Sequence, residues 1–122
     1  MHPKPFSIRS RIKSFSYAFA GLRRFVWQEH NARIHLAATI AVVIAAFLLH
    51  VSRLEAIALT VVVGGVWATE MLNTCFEVMA DLICPEEHPT IKFIKDLAAG
   101  AVLVAAITAV IVGLIIFIPK II

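Results

Sequence analysis

Four polar side chains recur between Val66 and Asp81 at spacings that place them on one helix face: Glu70, Asn73, Glu77 and Asp81. On a helix that advances about 100° per residue, they lie near ~0°, ~300°, ~340° and ~20°. We call this set the polar face. Carboxylate and amide oxygens are ligands for Mg²⁺, and a carboxylate can also take a proton from a hydroxyl group. The polar face therefore has the groups for metal binding and for general-base chemistry.

Glu70 is the member of this face that is hardest to explain as part of an ordinary helix end. It follows fourteen uncharged residues, from Ala56 to Thr69. An ionisable group inside an apolar span costs at least about 2.5 kcal/mol by insertion scales. A polar helix end, where the chain leaves the membrane, would account for Asp81 and for Glu77 but not for Glu70. We therefore interpret the polar face as functional.

The composition predicts a membrane protein that is all-α. The chain has 122 residues, of which 61% are hydrophobic and 16% are charged, too apolar for a soluble domain of this size. Its apolar blocks predict one membrane-embedded domain, residues 1–122, with three transmembrane helices at about 31–51, 54–81 and 91–118. Cys84 to Thr90 contains two prolines, which predicts a loop with Thr90 as N-cap of the last helix.

An amphipathic surface helix is predicted at residues 7–28, ahead of the first span. Its apolar residues follow a helical period, and arginines and lysines occupy the other faces. A soluble coiled-coil arm is the alternative interpretation, but the heptad pattern ends after about three turns and a membrane span follows. The apolar positions are Ile8, Ile12, Phe15, Phe19, Leu22 and Val26.

The distribution of basic residues predicts the orientation of the spans. Three spans put the N-terminus and the 84–96 segment on the same side, with nine lysines and arginines there and only Arg53 and Lys120 opposite. The positive-inside rule makes the first side cytoplasmic. Cys75 and Cys84 are then in reducing surroundings, and we interpret both as free thiols.

The cytoplasmic ends of the three spans collect polar residues. They are Glu29, Asn31 and Arg33 on the first span, the polar face on the second, and Lys95 and Asp96 on the third. A lysine, Mg²⁺ and a carboxylate base are the parts that phosphoryl transfer needs, and this location suits a soluble donor and a lipid acceptor. Neither a G-x-x-x-x-G-K-[ST] nor a G-x-G-x-x-G motif is present, so a nucleotide site would be of another type.

These motifs resemble those of the prokaryotic diacylglycerol kinase family, which includes the undecaprenol kinases. The resemblance covers most of the chain, from S-F-S-Y-A-F-A-G-L-R-R to the terminal I-F-I-P-K. It is carried in particular by E-x-x-N-x-x-x-E at Glu70, the following V-M-A-D, the P-E-E-H loop and the K-D-x-A-A-G-A-V-L run from Lys95. It implies a homotrimeric kinase in the bacterial cytoplasmic membrane that phosphorylates undecaprenol or diacylglycerol with Mg-ATP and has no nucleic-acid partner.

The resemblance also implies roles for individual residues. Glu70 would be the base at the lipid hydroxyl, with Arg33 beside the lipid, and Glu29 and Glu77 would hold the metal. The nucleotide would be bound by Tyr17, Asn73, Glu86, His88, Lys95 and Asp96. Tyr17 as an interfacial anchor and Lys95 as a snorkelling side chain are the alternatives.

The segment from Glu29 to His35 is closer to the undecaprenol kinase branch than to diacylglycerol-specific enzymes, which have polar or acidic residues where Ile34 and His35 stand. His35 could also be a structural residue that hydrogen-bonds a neighbour. The sequence leaves the roles of His35 and Asp81 open.

Two other functions fit a small membrane protein with buried carboxylates. A transporter subunit would need its carboxylate near the membrane midplane, whereas about 20 residues counted from Ala56 put the boundary near Cys75, a turn or two beyond Glu70. A non-catalytic scaffold subunit would leave Glu70 without a reason.

The charge asymmetry makes a prediction about topology. A cysteine introduced as Ile122→Cys should react with an impermeant thiol reagent added outside intact cells, whereas Cys84 should not. Labelling of Cys84 with a silent Ile122→Cys would reverse the orientation and every site assignment that depends on it.

Overall fold

The computed structural model describes residues 3–122, and this part of the chain is helical with no strands. The helices are α1 (Ile8–Gln28), α2 (His30–Leu48), α3 (Arg53–Ile83) and α4 (Pro89–Ile121). The last three are long and apolar enough to cross a membrane, at 19, 31 and 33 residues. The predicted all-α class with three membrane-length helices is therefore confirmed.

The chain divides into two compact units, Met1–Ile34 and His35–Ile122. In the first unit, Ser7 caps α1 by accepting a hydrogen bond from the Ser10 amide at 3.3 Å. Glu29 leaves the helical conformation and ends α1, and α2 begins at the next residue. That α1 lies on a membrane surface stays a prediction.

In the second unit, α3 and α4 pack against each other as an antiparallel pair. Ion pairs join the two helices at both ends, between Asp81 and Lys95 and between Glu55 and Lys120. Along α3, the residues that become buried recur at spacings of three, four and seven, as expected for one helical face. They are Leu59, Val66, Glu70, Asn73 and Ala80.

A tight turn separates α2 from α3. His50 adopts a left-handed conformation, with φ of 52°, and the Val51 amide bonds back to the Ala46 carbonyl at 3.2 Å, which ends α2. Ser52 then starts α3 with a capping box, in which its hydroxyl accepts from the Glu55 amide and the Glu55 carboxylate accepts from the Ser52 amide. This turn and the Ser52 cap therefore determine that α3 begins at Arg53.

The prediction that Thr90 caps the last helix is wrong. His88 is the N-cap of α4, and its Nδ1 accepts a hydrogen bond from the Thr90 amide at 3.1 Å. Pro89 is the first helical residue, where its fixed φ suits a helix and its missing N–H costs nothing. The helix consequently starts two residues earlier than a threonine cap would allow.

Candidate active site

Glu70 is buried inside the second unit and has a histidine as its partner. Its side chain is 6% exposed, and its Oε2 lies 3.3 Å from Nε2 of His35, a ring nitrogen that can donate a hydrogen bond. The His35 side chain is more open, at 22% exposed. A buried carboxylate needs such a donor, because leaving its oxygens unpaired in apolar surroundings is costly. The structure thus gives His35 a partner that sequence reasoning did not assign.

A second polar contact joins the same two helices one turn away. Trp67 donates its indole N–H to the Thr39 hydroxyl at 2.8 Å, and this hydroxyl donates to the His35 carbonyl at 2.7 Å. The rings of His35 and Trp67 lie 6.4 Å apart between centroids. The two contacts, His35–Glu70 and Thr39–Trp67, form a ladder of two rungs between α2 and α3.

Asn73 lies one turn further along the polar face and has an unsatisfied oxygen. Its amide nitrogen donates to the Glu77 carboxylate at 3.5 Å, at the long limit for such a bond. Its Oδ1 is buried and has no hydrogen-bond partner among residues 3–122. The buried amide oxygen receives no hydrogen bond from the described residues and lies next to an exposed carboxylate. Together these oxygens could serve as ligands of a hard cation.

The polar face fits Mg²⁺ as a partial set of ligands. No group of three or more histidine, cysteine, aspartate or glutamate side chains within the described part of the chain is close enough to hold a metal ion by itself. Mg²⁺ typically takes one or two carboxylates and completes its octahedron with water and substrate phosphates. Glu77 and Asn73 are consistent with that kind of site.

A cavity of about 450 Å³ with several charged residues in its lining lies at the α3–α4 loop, and we call it the loop cavity. Glu86, His88 and Lys95, three residues that the sequence predicted to bind nucleotide, all line it. Glu87 and Lys92, which the sequence analysis did not select, line it as well. The structure thus brings half of the predicted nucleotide residues together around one concave surface.

Lys95 and Asp96 have different partners, although they are neighbours in sequence. Lys95 binds Asp81 of α3, across the loop. Asp96 pairs with Lys92 on its own helix at 2.6 Å and does not line the loop cavity. Asp81, whose role the sequence left open, therefore orients the lysine that faces the loop cavity.

The remaining predicted residues belong to the first unit. Tyr17 is 69% exposed on α1, and Glu29 is partly exposed at the junction of α1 and α2. Arg33 is exposed and donates to the Trp27 carbonyl at 3.3 Å. Their roles in binding nucleotide, metal and lipid stay predictions.

A second, apolar cavity of about 460 Å³ lies among α2, α3 and α4, and we call it the apolar cavity. His35 and Trp67 line one end of it, and Ile121 lines the other. Its lining along α4 runs from Ala106 to Ile121, about 22 Å at the rise of a helix. This long apolar space has at one end His35, the histidine that contacts the buried Glu70, and so has the shape and polarity of a site for a lipid with a polar head.

Comparison with known proteins assigns the chain to a family. A model of the family described as prokaryotic diacylglycerol kinase matches residues 16–117, most of the chain. The chain belongs to the prokaryotic diacylglycerol kinase family. Membership of the diacylglycerol kinase family confirms the resemblance noted in the sequence.

Individual relatives in this family are named as lipid kinases. Undecaprenol kinase of Bacillus subtilis is 40% identical over 116 residues, covering 92% of this chain and 94% of that protein. Diacylglycerol kinase of a Synechocystis species is 43% identical over 103 residues, 84% of this chain and 59% of that protein. Diacylglycerol kinase of Escherichia coli is 34% identical over 100 residues, 82% of each. As a member of the diacylglycerol kinase family, the chain is a lipid kinase.

Proposed function

We propose that this protein transfers the γ-phosphoryl group of ATP to a membrane lipid alcohol, either undecaprenol or diacylglycerol, at the cytoplasmic face of a bacterial inner membrane. The observation that carries the proposal is the position of Glu70. It is a buried carboxylate, bonded to a histidine that lines the apolar cavity. The names of the relatives support the two acceptors.

Glu70 is the general base of this reaction. Its carboxylate takes the proton of the lipid hydroxyl while the hydroxyl oxygen forms a bond to the γ-phosphorus and the bond to the β–γ bridging oxygen breaks. The products are the lipid phosphate and ADP, and the proton then passes from Glu70 to solvent. His35 contacts Oε2 of Glu70, and Oε1 makes no hydrogen bond within residues 3–122, so we assign Oε1 to the lipid hydroxyl.

Glu77 and Glu29 would hold the metal as anionic ligands, with Asn73 next to Glu77 on α3. Bound Mg²⁺ would neutralise charge on the phosphates and orient them. The unsatisfied Oδ1 of Asn73 supports this assignment for α3, and the family resemblance supports it for Glu29.

The nucleotide binds at the loop cavity. Its lining by Glu86, His88 and Lys95 supports this placement, and the two lysines there supply positive charge for phosphates. We keep Tyr17, Asn73 and Asp96 as further nucleotide residues and Arg33 as a lipid contact, from the resemblance. The working enzyme is a homotrimer with a cytoplasmic N-terminus.

Replacing Glu70 by glutamine tests the base. Glu70→Gln keeps the size of the side chain and its bond to His35 but cannot accept a proton. Since general-base catalysis contributes about 10²–10⁴-fold, kcat should fall by about that factor, with KM for ATP little changed. The measurement is transfer of labelled phosphate from ATP to undecaprenol and to diacylglycerol, offered separately in mixed micelles. A near wild-type rate would remove the base from this mechanism, and absence of ATP turnover in the unmodified protein would favour a transporter.

Replacing Glu77 by glutamine tests the metal site. Loss of a hard anionic ligand should abolish most activity, and raised Mg²⁺ should restore it in part at best. Thr60→Val is the control, since the exposed Thr60 hydroxyl bonds to the Ala56 carbonyl of its own helix. Both proteins should insert normally. Full activity of Glu77→Gln across a Mg²⁺ titration would contradict the assignment.

Filling the apolar cavity tests whether it holds the lipid chain. Gly113 lines this cavity, and a Cβ added there meets nothing within 4 Å, so Gly113→Leu should extend into the empty space. It should raise KM for the lipid several-fold and leave KM for ATP unchanged. Gly64→Leu is the matched control, since Gly64 is equally open but lines a different cavity of about 740 Å³ between α2 and α3. Equal effects of both substitutions on lipid KM would refute this placement of the chain.

A further inference from the structure

The contact between α2 and α3 is sparse apart from its two polar rungs. The strong helix–helix packing in the second unit is between α3 and α4. Cavities of about 460 and 740 Å³ are both lined by residues of α2 and α3. Within one protomer, close apolar packing between α2 and α3 is thus not what sets the position of α2 at the level of Glu70. The rungs His35–Glu70 and Thr39–Trp67 join the two helices there.

The two rungs are in register with the helical repeat. His35 and Thr39 are four residues apart on α2, and Trp67 and Glu70 are three apart on α3, so each pair occupies neighbouring turns of one face. The Thr39 hydroxyl links them, because it accepts from Trp67 and donates to the His35 carbonyl. This arrangement anchors the backbone of His35 while its ring reaches Glu70.

The His35 ring contacts Oε2 of the Glu70 carboxylate and does not bond to Oε1. A carboxylate that acts as a base only accepts hydrogen bonds, so in the proposed mechanism His35 donates through Nε2. A carboxylate held at Oε2 has a fixed rotamer, and Oε1 then has a defined direction. Without the histidine, the Glu70 side chain could rotate among its staggered conformations and would present its free oxygen to the lipid for a smaller fraction of the time.

We infer that His35 is a positioning residue for the general base: it holds Oε2 of Glu70 so that Oε1 faces the lipid hydroxyl at the end of the apolar cavity. This inference rests on the proposed role of Glu70 as the base. His35 lines the apolar cavity, so the same ring also borders the space in which the lipid head would lie. The proton goes to Glu70, and the histidine does not exchange one during the reaction.

Two substitutions at His35 distinguish the effect of its hydrogen bond from the effect of its side-chain volume. His35→Gln places an amide N–H close to where Nε2 stood, whereas His35→Leu fills similar space without a donor. Loss of a hydrogen bond to a charged group predicts that kcat of His35→Leu falls about 10- to 100-fold with KM for ATP unchanged. His35→Gln should keep kcat within about fivefold of wild type by the same bond. Thr60→Val is the control, since the exposed Thr60 hydroxyl bonds to the Ala56 carbonyl of its own helix.

A double-mutant cycle connects the effect to Glu70. In a Glu70→Gln background the base is already absent, so adding His35→Leu should lower kcat no further. A further loss equal to that of the single mutant would overturn the inference, as would wild-type kcat in His35→Leu. Equal, severe loss in His35→Gln and His35→Leu would overturn it too, because it would make the histidine itself the proton acceptor.

The same set of proteins distinguishes this inference from the proposed function. If Glu70→Gln retains near wild-type kcat, the base assignment fails and the positioning role fails with it. If Glu70→Gln is impaired but His35→Leu is not, the base stands and the positioning role alone is wrong. Helix content and detergent-solubilised melting of each variant identify any that do not fold, and His35→Gln keeps the test decisive if His35→Leu is among them.

Discussion

A carboxylate inside an apolar helix pair needs a hydrogen-bond donor, and this requirement organises the second unit. Glu70 is almost fully buried on α3, and its donor comes from α2 rather than from its packing partner α4. The first turns of α2 must therefore stay within hydrogen-bonding distance of the middle of α3. The apolar cavity, bordered by all three helices, exists because α2 is held there by polar contacts instead of by close packing.

The same helices border two different chemical environments, a charged one at the α3–α4 loop and an apolar one along the membrane-length segments. At the loop end, the α3–α4 loop and the start of α4 bring together carboxylates and lysines around the loop cavity. Along the spans, apolar side chains dominate, and Glu70 stands between these two environments. A kinase that joins a charged, soluble donor to a lipid needs both environments within one small fold, and the polar face of α3 runs from one to the other.

The sequence predicted the helices and the polar face because both depend on local periodicity. Glu70 and Asn73 could be assigned to one face from their spacing alone, and both are buried there. The partner of Glu70 could not be predicted, because periodicity predicts which face of a helix is buried but not which residues of two helices lie at the same axial level. The Asp81–Lys95 pair was missed for the same reason: its members are close only because the loop folds α4 back along α3. His88 displaced Thr90 as the cap because Pro89 favours the first helical position.

The two ion pairs between α3 and α4 together fix the axial register of these helices. Glu55 and Asp81 are 26 positions apart on α3 (81 − 55), and Lys95 and Lys120 are 25 apart on α4 (120 − 95), so the two spacings are about 39 and 38 Å long. Sliding one helix by a single turn, about 5.4 Å, would break both pairs at once. Since about 39 Å exceeds the ~30 Å of a bilayer's hydrocarbon core, the two pairs cannot both lie within it. The ion pairs near the helix ends thus fix the axial alignment of α3, the helix that carries Glu70. The buried middle of α3 does not have to provide this alignment and can carry polar side chains.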